Sequence, residues 1–146
     1  MGCRTCQAIA GEISLTLGPR IDLDEHWMVE HCHPVSMPAW LVLVLKRHAR
    51  ALHDLTDDEG ASLGHWLPRI VRALHGATGC EIEYVIQLAE GEGFHHVHFH
   101  LMARAHGWPA DLRGPKVFGA FGAVPHVSAE EQTSIVEAVR AALALR

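Results

Sequence analysis

Three histidines, His96, His98 and His100, alternate with Val97, Phe99 and Leu101 in the second half of the chain. Alternation is the period of a β-strand, which sends successive side chains to opposite faces. The spacing therefore predicts a strand whose apolar residues enter a core while three imidazoles, about 7 Å apart along the backbone, line the other face. Solvated strand faces carry Thr, Lys or Glu, so this row points to chemistry. Imidazole is nucleophilic near neutral pH and also ligates metals. Either one ring is a nucleophile flanked by helpers, or all three hold a catalytic metal.

A second candidate is Cys3-x-x-Cys6. Two thiolates at this spacing supply half of a tetrahedral zinc site, and without a second Cys-x-x-Cys the other half falls to histidines. A thioredoxin-like redox pair is the alternative, although that motif follows a strand and opens a helix, which is not the setting here. Cys32 and Cys80 read as small core residues.

The run His96-Val97-His98-Phe99-His100-Leu101-Met102 resembles the signature of the histidine triad family of nucleotide hydrolases and transferases. Cys3-x-x-Cys6, the apolar stretch 41–45 followed by Lys46-Arg47-His48, and Arg104 also fall where that family has counterparts. The resemblance spans residues 3–104 and is closest to the zinc-carrying, bacterial-type branch. It implies an antiparallel sheet with helices on one side, a homodimer, and a structural zinc held by Cys3, Cys6, His48 and His96. It further implies that His98 attacks an α-phosphorus to form a nucleotidyl-histidine that water cleaves. His100 would contact a phosphate oxygen or the leaving group, and Glu92 and Gly93 in the turn 91–93 would meet the substrate. That substrate would be a dinucleoside polyphosphate, a nucleoside phosphoramidate or a similar adenylated compound.

Two positions depart from the family pattern. Its Gly-His pair at the start of the buried strand is Ala39-Trp40 here, and its Gln four residues before the triad is Glu92, with Glu90 close by. A carboxylate facing a phosphate is repulsive. These departures define a rival reading, a zinc-stapled module that binds nucleotides or a protein partner with little or no turnover.

Apolar patterning supplies the elements that must carry these residues. Alternation at Ile13, Leu15 and Leu17, then 21–23 and 27–32, predicts short strands punctuated by Pro19 and Pro34. The stretch 40–45 is nearly continuous in Leu and Val, as a central strand covered on both faces is. Thr56 with Glu59 forms a capping box, and the stripe Leu63, Trp66, Leu67, Ile70, Val71, Leu74 predicts a long helix from Asp57 to about Leu74, closed by Gly76 and Gly79. Residues 81–88 read as a strand joined to the histidine strand by a hairpin-like turn, 89–93. Residues 105–126 follow no period, and Ser128 with Glu131 opens a terminal helix. The whole is one α+β domain over 1–146, an antiparallel sheet of about five strands with one long helix and a C-terminal helix.

Charge and composition bound the partners. A formal charge of −5 gives no electrostatic reason to bind a nucleic-acid polymer, while small phosphate ligands remain open. No apolar run is long enough for a membrane helix, nothing resembles a signal peptide, and four cysteines with a Cys-x-x-Cys that reads as a metal clip or redox pair fit a reducing compartment, so the expected location is cytoplasmic. Lys46 and Arg47 are placed either to steer a phosphate or simply as a solvated strand end. The histidines outside the motifs, His31, His33 and His75 among them, read as surface or loop residues.

Overall fold

The computed structural model describes residues 2–145. Its elements in chain order are α1 (Arg4–Ile9), β1 (Asp22–Leu23), β2 (Trp27–His31), β3 (Trp40–Leu45), α2 (Asp57–Thr78), β4 (Ile82–Ile86), β5 (His98–Arg104) and α3 (Ala129–Ala144). The five strands form one antiparallel sheet in the order β1-β2-β3-β5-β4. The α+β architecture is the expected one. Among the described residues no helix is long and apolar enough to cross a membrane.

The central strand β3 is covered on both sides because its two faces serve different cores. Leu41, Leu43 and Leu45 join Phe99 and Leu101 of β5 beneath Ile70 and Leu74 of α2 and Val136 and Val139 of α3. On the opposite face Trp40 and Met102 pack with Val117 and Ala120 from the segment after β5. The register pairs Val42 with His100 and Val44 with His98, so both histidines leave the sheet on this second face.

Helices α2 and α3 begin with the predicted capping boxes, Thr56 with Glu59 and Ser128 with Glu131. Helix α2 runs beyond Gly76 and stops only at Gly79, whose φ of 62° is the left-handed cap that glycine accepts without a Cβ penalty. Gly76 lies inside the helix, where a small residue suits the approach of Ala142.

Two other expectations are corrected, and the aperiodic stretch after β5 shows local structure. Residues 13–17 form no strand: Leu15 lines the cavity described below, Leu17 is exposed, and the Leu17 amide donates to the Gln132 side chain. Apolar alternation over so few residues had no neighbouring strand to pair with. The link from β4 to β5 occupies residues 87–97 rather than a tight turn, because His96 and Val97 lie ahead of the ladder. Residues 105–126 contain two 3-10 turns, Ala110–Leu112 and Gly114–Ala120, and the second closes the far face of the sheet.

One polar group ties β2 to α2. Asp24 accepts hydrogen bonds from the Ser62 hydroxyl, the Trp66 indole, and the backbone amides of His26 and Trp27. Burial pushes its carboxyl up, but these donors, Ser62 foremost, outweigh it and hold the group down at about 2. A depressed carboxyl pKa contributes stability above the unfolded value near 4 and loses it as pH falls toward 2. Asp24→Ala therefore lowers unfolding free energy by about 2 kcal/mol at neutral pH, since it strands the Trp66 and Ser62 donors. Urea melts of both proteins at pH 7 and pH 3 check this, with the difference shrinking at the lower pH.

Candidate active site and metal centre

The N-terminal helix brings the predicted metal ligands together. Cys3 is the N-cap of α1 and Cys6 sits in its first turn, so both thiols face one direction. Their Sγ atoms lie 3.5 Å from His96 Nδ1, Cys6 Sγ lies 3.3 Å from His48 Nδ1, and the two imidazole Nδ1 atoms are 3.3 Å apart. Tetrahedral zinc, with Zn–S of about 2.3 Å and Zn–N of about 2.0 Å, sets its ligands roughly 3.3–3.8 Å apart. The donor set Cys3, Cys6, His48, His96 fits a closed structural site in both chemistry and spacing.

His96 is oriented for this role by its other nitrogen. The ring is fully buried, and Nε2 lies 2.6 Å from the Leu45 carbonyl, which can only accept; Nε2 therefore carries the proton and Nδ1 presents its lone pair. Burial, first of all, holds the His96 pKa below the ordinary value and keeps it neutral, as a ligand must be. Among the paired thiols, burial and then Cys3 push Cys6 up to about 11, a cost that a cation between them would reverse.

The second face of the sheet carries the other two triad histidines at the wall of a cavity of about 470 Å³. Val42, Val44, Met28 and Leu88 make much of its lining apolar, joined by Phe118 of the second 3-10 turn and Phe121 just after it. A volume of this size accommodates a nucleoside-sized ligand. His98 Nδ1 lies 2.6 Å from the His96 carbonyl, so Nδ1 is the donor and Nε2 is left with an unshared pair. Burial lowers the His98 pKa, which keeps that pair unprotonated at neutral pH.

His100 has the opposite tautomer. The Trp40 indole, a donor only, gives its proton to His100 Nδ1 at 3.0 Å, so His100 carries its own proton on Nε2. Burial, and then the neighbouring His98, push its pKa down to about 3. His100 is consequently a neutral hydrogen-bond donor at any working pH, in edge contact with Trp40 and Phe118.

The remaining sequence candidates divide. Glu92 is exposed on the cavity rim with Glu90 and Gly91. Gly93, at φ 79°, faces the other way: its carbonyl accepts from the Arg4 amide and a Cβ there would press on the Arg4 side chain. Lys46 and Arg47 do not reach the cavity. Lys46 donates to the Asp24 carbonyl, and Arg47 forms a bidentate pair with Glu59, the capping residue of α2. Arg104 lies at the far end of β5 with Glu81.

Sequence reasoning missed a buried partner of His100 and several residues that line the cavity. Trp40 read as a departure from the pattern and is a direct partner of His100. His31, discounted as a surface or loop residue, is buried in β2 and braces the 32–38 loop through the carbonyls of Cys32 and Pro38. Phe118 and Phe121 belong to an aperiodic stretch, where only their aromatic character in a Gly-rich context marked them.

No protein-family model matches the sequence, and no curated protein matches it. Solved structures do. A histidine triad protein from Bradyrhizobium japonicum shares 26% identity with a TM-score of 0.71, covering 86% of this chain and 90% of its own. A zinc-bound histidine triad family protein from Mycobacterium smegmatis shares 21% identity with a TM-score of 0.69, covering 98% and 94%. The chain has the histidine triad fold. A uridylyltransferase matches 99% of this chain over 46% of its own length, at 20% identity and a TM-score of 0.65, so the histidine triad fold here spans about half of that enzyme.

Proposed function

We propose that the chain is a cytoplasmic member of the histidine triad family, a nucleotide hydrolase or nucleotidyl transferase working through a covalent nucleotidyl-histidine. The observation that carries this reading is the pair of opposite tautomers: a bare Nε2 on His98 beside a protonated Nε2 on His100, both at an apolar cavity. His98 Nε2 attacks the α-phosphorus, forming a P–N bond as the bond to the leaving group breaks. The His96 carbonyl, already bonded to Nδ1–H, stabilises the positive charge the ring then carries. His100 Nε2–H donates to a phosphoryl oxygen, and water subsequently attacks phosphorus to return His98 to its neutral form. Cys3, Cys6, His48 and His96 would hold a zinc ion, which would supply structural cross-linking rather than chemistry.

The cavity also bears on the choice of substrate. Glu90 and Glu92 stand on its rim, and among the described residues no Lys or Arg lines it. Every added phosphate meets unfavourable charge there, whereas an amine leaving group does not. A nucleoside phosphoramidate is therefore the favoured substrate over a dinucleoside polyphosphate. Intact-mass detection of a nucleotidylated chain, together with kcat/KM for adenosine 5′-phosphoramidate and diadenosine tetraphosphate, tests both parts. Absence of adduct and of turnover with either compound, while nucleotide still binds, would establish the binding-module alternative.

Trp40 gives a sharper check. Trp40→Phe removes the donor that sets the His100 tautomer and leaves a buried acceptor unpaired, so kcat falls about tenfold while KM changes little. Trp40→His, which restores a ring N–H near His100, recovers part of the loss. The homodimer implied by the resemblance is compatible with β4 as a sheet edge bearing exposed Ile82 and Val85; sedimentation velocity measures it.

A further inference from the structure

A second set of metal-type donors lies outside the triad and its zinc ligands. His75 stands in the last turn of α2, Cys80 follows the Gly79 cap, and Glu83 is in β4, giving the spacing His-x4-Cys-x2-Glu. Cys80 Sγ is 3.7 Å from His75 Nδ1 and 3.3 Å from a Glu83 carboxylate oxygen, and that oxygen is 3.5 Å from His75 Nδ1. These separations reproduce those among Cys3, Cys6, His48 and His96, and they are the separations tetrahedral zinc sets between its ligands.

The backbone around the three donors is held in place. Thr78 bonds back to the Leu74 carbonyl and accepts from the Cys80 amide, and the Gly79 amide closes onto the His75 carbonyl. Glu83 is registered opposite Ala103 in the sheet. The buried Cys80 thiol thus meets an exposed imidazole and a half-buried carboxylate at the carboxyl end of a helix 22 residues long, where the helix dipole favours a cation. One thiolate, one imidazole and one carboxylate match the ligand preferences of zinc and not those of magnesium or calcium, which take oxygen.

We propose that His75, Cys80 and Glu83 form a second zinc site, three-coordinate in protein ligands and open to water or a small anion at its fourth position. It shares no residue with the four-ligand centre and holds zinc more weakly, having one thiolate fewer. The two sites therefore load in order as zinc is supplied.

The test is metal stoichiometry on the full chain, stripped of metal and titrated with Zn²⁺ against a chromophoric chelator, then with Co²⁺ followed by absorption. Two equivalents per chain are expected, the first tight. The second equivalent of Co²⁺ adds about half the thiolate charge-transfer intensity of the first, for one sulfur against two. Cys80→Ser and His75→Ala each remove the second equivalent and keep the first, while Cys3→Ser removes the first and keeps the second. His75 is exposed, so His75→Ala retains its fold, which an unchanged thermal melt in the singly loaded state verifies. A wild-type chain that binds one equivalent, or variants at both His75 and Cys80 that still bind two, overturns the assignment.

Discussion

His98→Ala lowers kcat/KM for adenosine 5′-phosphoramidate by at least about 10⁴-fold, or roughly 5 kcal/mol of transition-state stabilisation. The magnitude follows from the role: without Nε2 there is no covalent intermediate, and the direct attack of water inherits only what the cavity and His100 provide. The fold should not suffer. The His98 side chain makes one polar contact, to the His96 carbonyl, and its face borders the cavity rather than the helical core. Nucleotide affinity of the variant, measured by calorimetry, stays within a few-fold of wild type, and no nucleotidylated mass is observed. Turnover that survives in His98→Ala would eliminate the covalent mechanism while leaving the fold intact.

The second large effect concerns the proposed four-ligand zinc site. Chelation of zinc, or Cys3→Ser, releases the tie between α1 and the segment ahead of β5, and the melting temperature falls on the order of 10 °C. His48→Ala acts in the same direction. Activity falls as well, by about 10- to 100-fold. The reason is that one residue serves both sites: the His96 side chain faces Cys3, Cys6 and His48, while the His96 carbonyl orients His98. Differential scanning fluorimetry with and without added zinc, paired with single-turnover rates, measures both losses. His98→Ala retains the metal at this centre. If the metal left with His98→Ala instead, the triad would be a metal site and its nucleophile assignment would fall.

Much of this was legible in the residues. Alternation at 96–101 placed Val97, Phe99 and Leu101 in one core and all three histidines opposite; His98 and His100 are there, while His96 lies ahead of the ladder beside Cys3, Cys6 and His48. The two capping boxes announced α2 and α3 because their partners sit three residues apart, and the unbroken apolar run 40–45 marked the strand that touches both cores. Such signals are local, and local geometry repeats wherever the pattern does. The grouping of Cys3, Cys6, His48 and His96 was legible in part for the same reason: two cysteines on one helical turn share a direction.

What the sequence could not determine was every relation between distant segments. Trp40 differs from the family pattern, yet only the alignment of β3 against β5 places its indole proton on His100 and so sets which nitrogen of His100 donates. Lys46 and Arg47 follow the central strand as phosphate ligands would, but the start of α2 supplies Glu59 to Arg47 and the Asp24 backbone carbonyl takes a hydrogen bond from Lys46, so both side chains have structural partners. His75 and Cys80 looked unremarkable five positions apart until the left-handed turn at Gly79 brought β4, with Glu83, beside them. Periodicity and spacing determine which face a residue occupies; which group waits opposite it depends on the packing of elements far apart in the chain, and that only the tertiary structure decided.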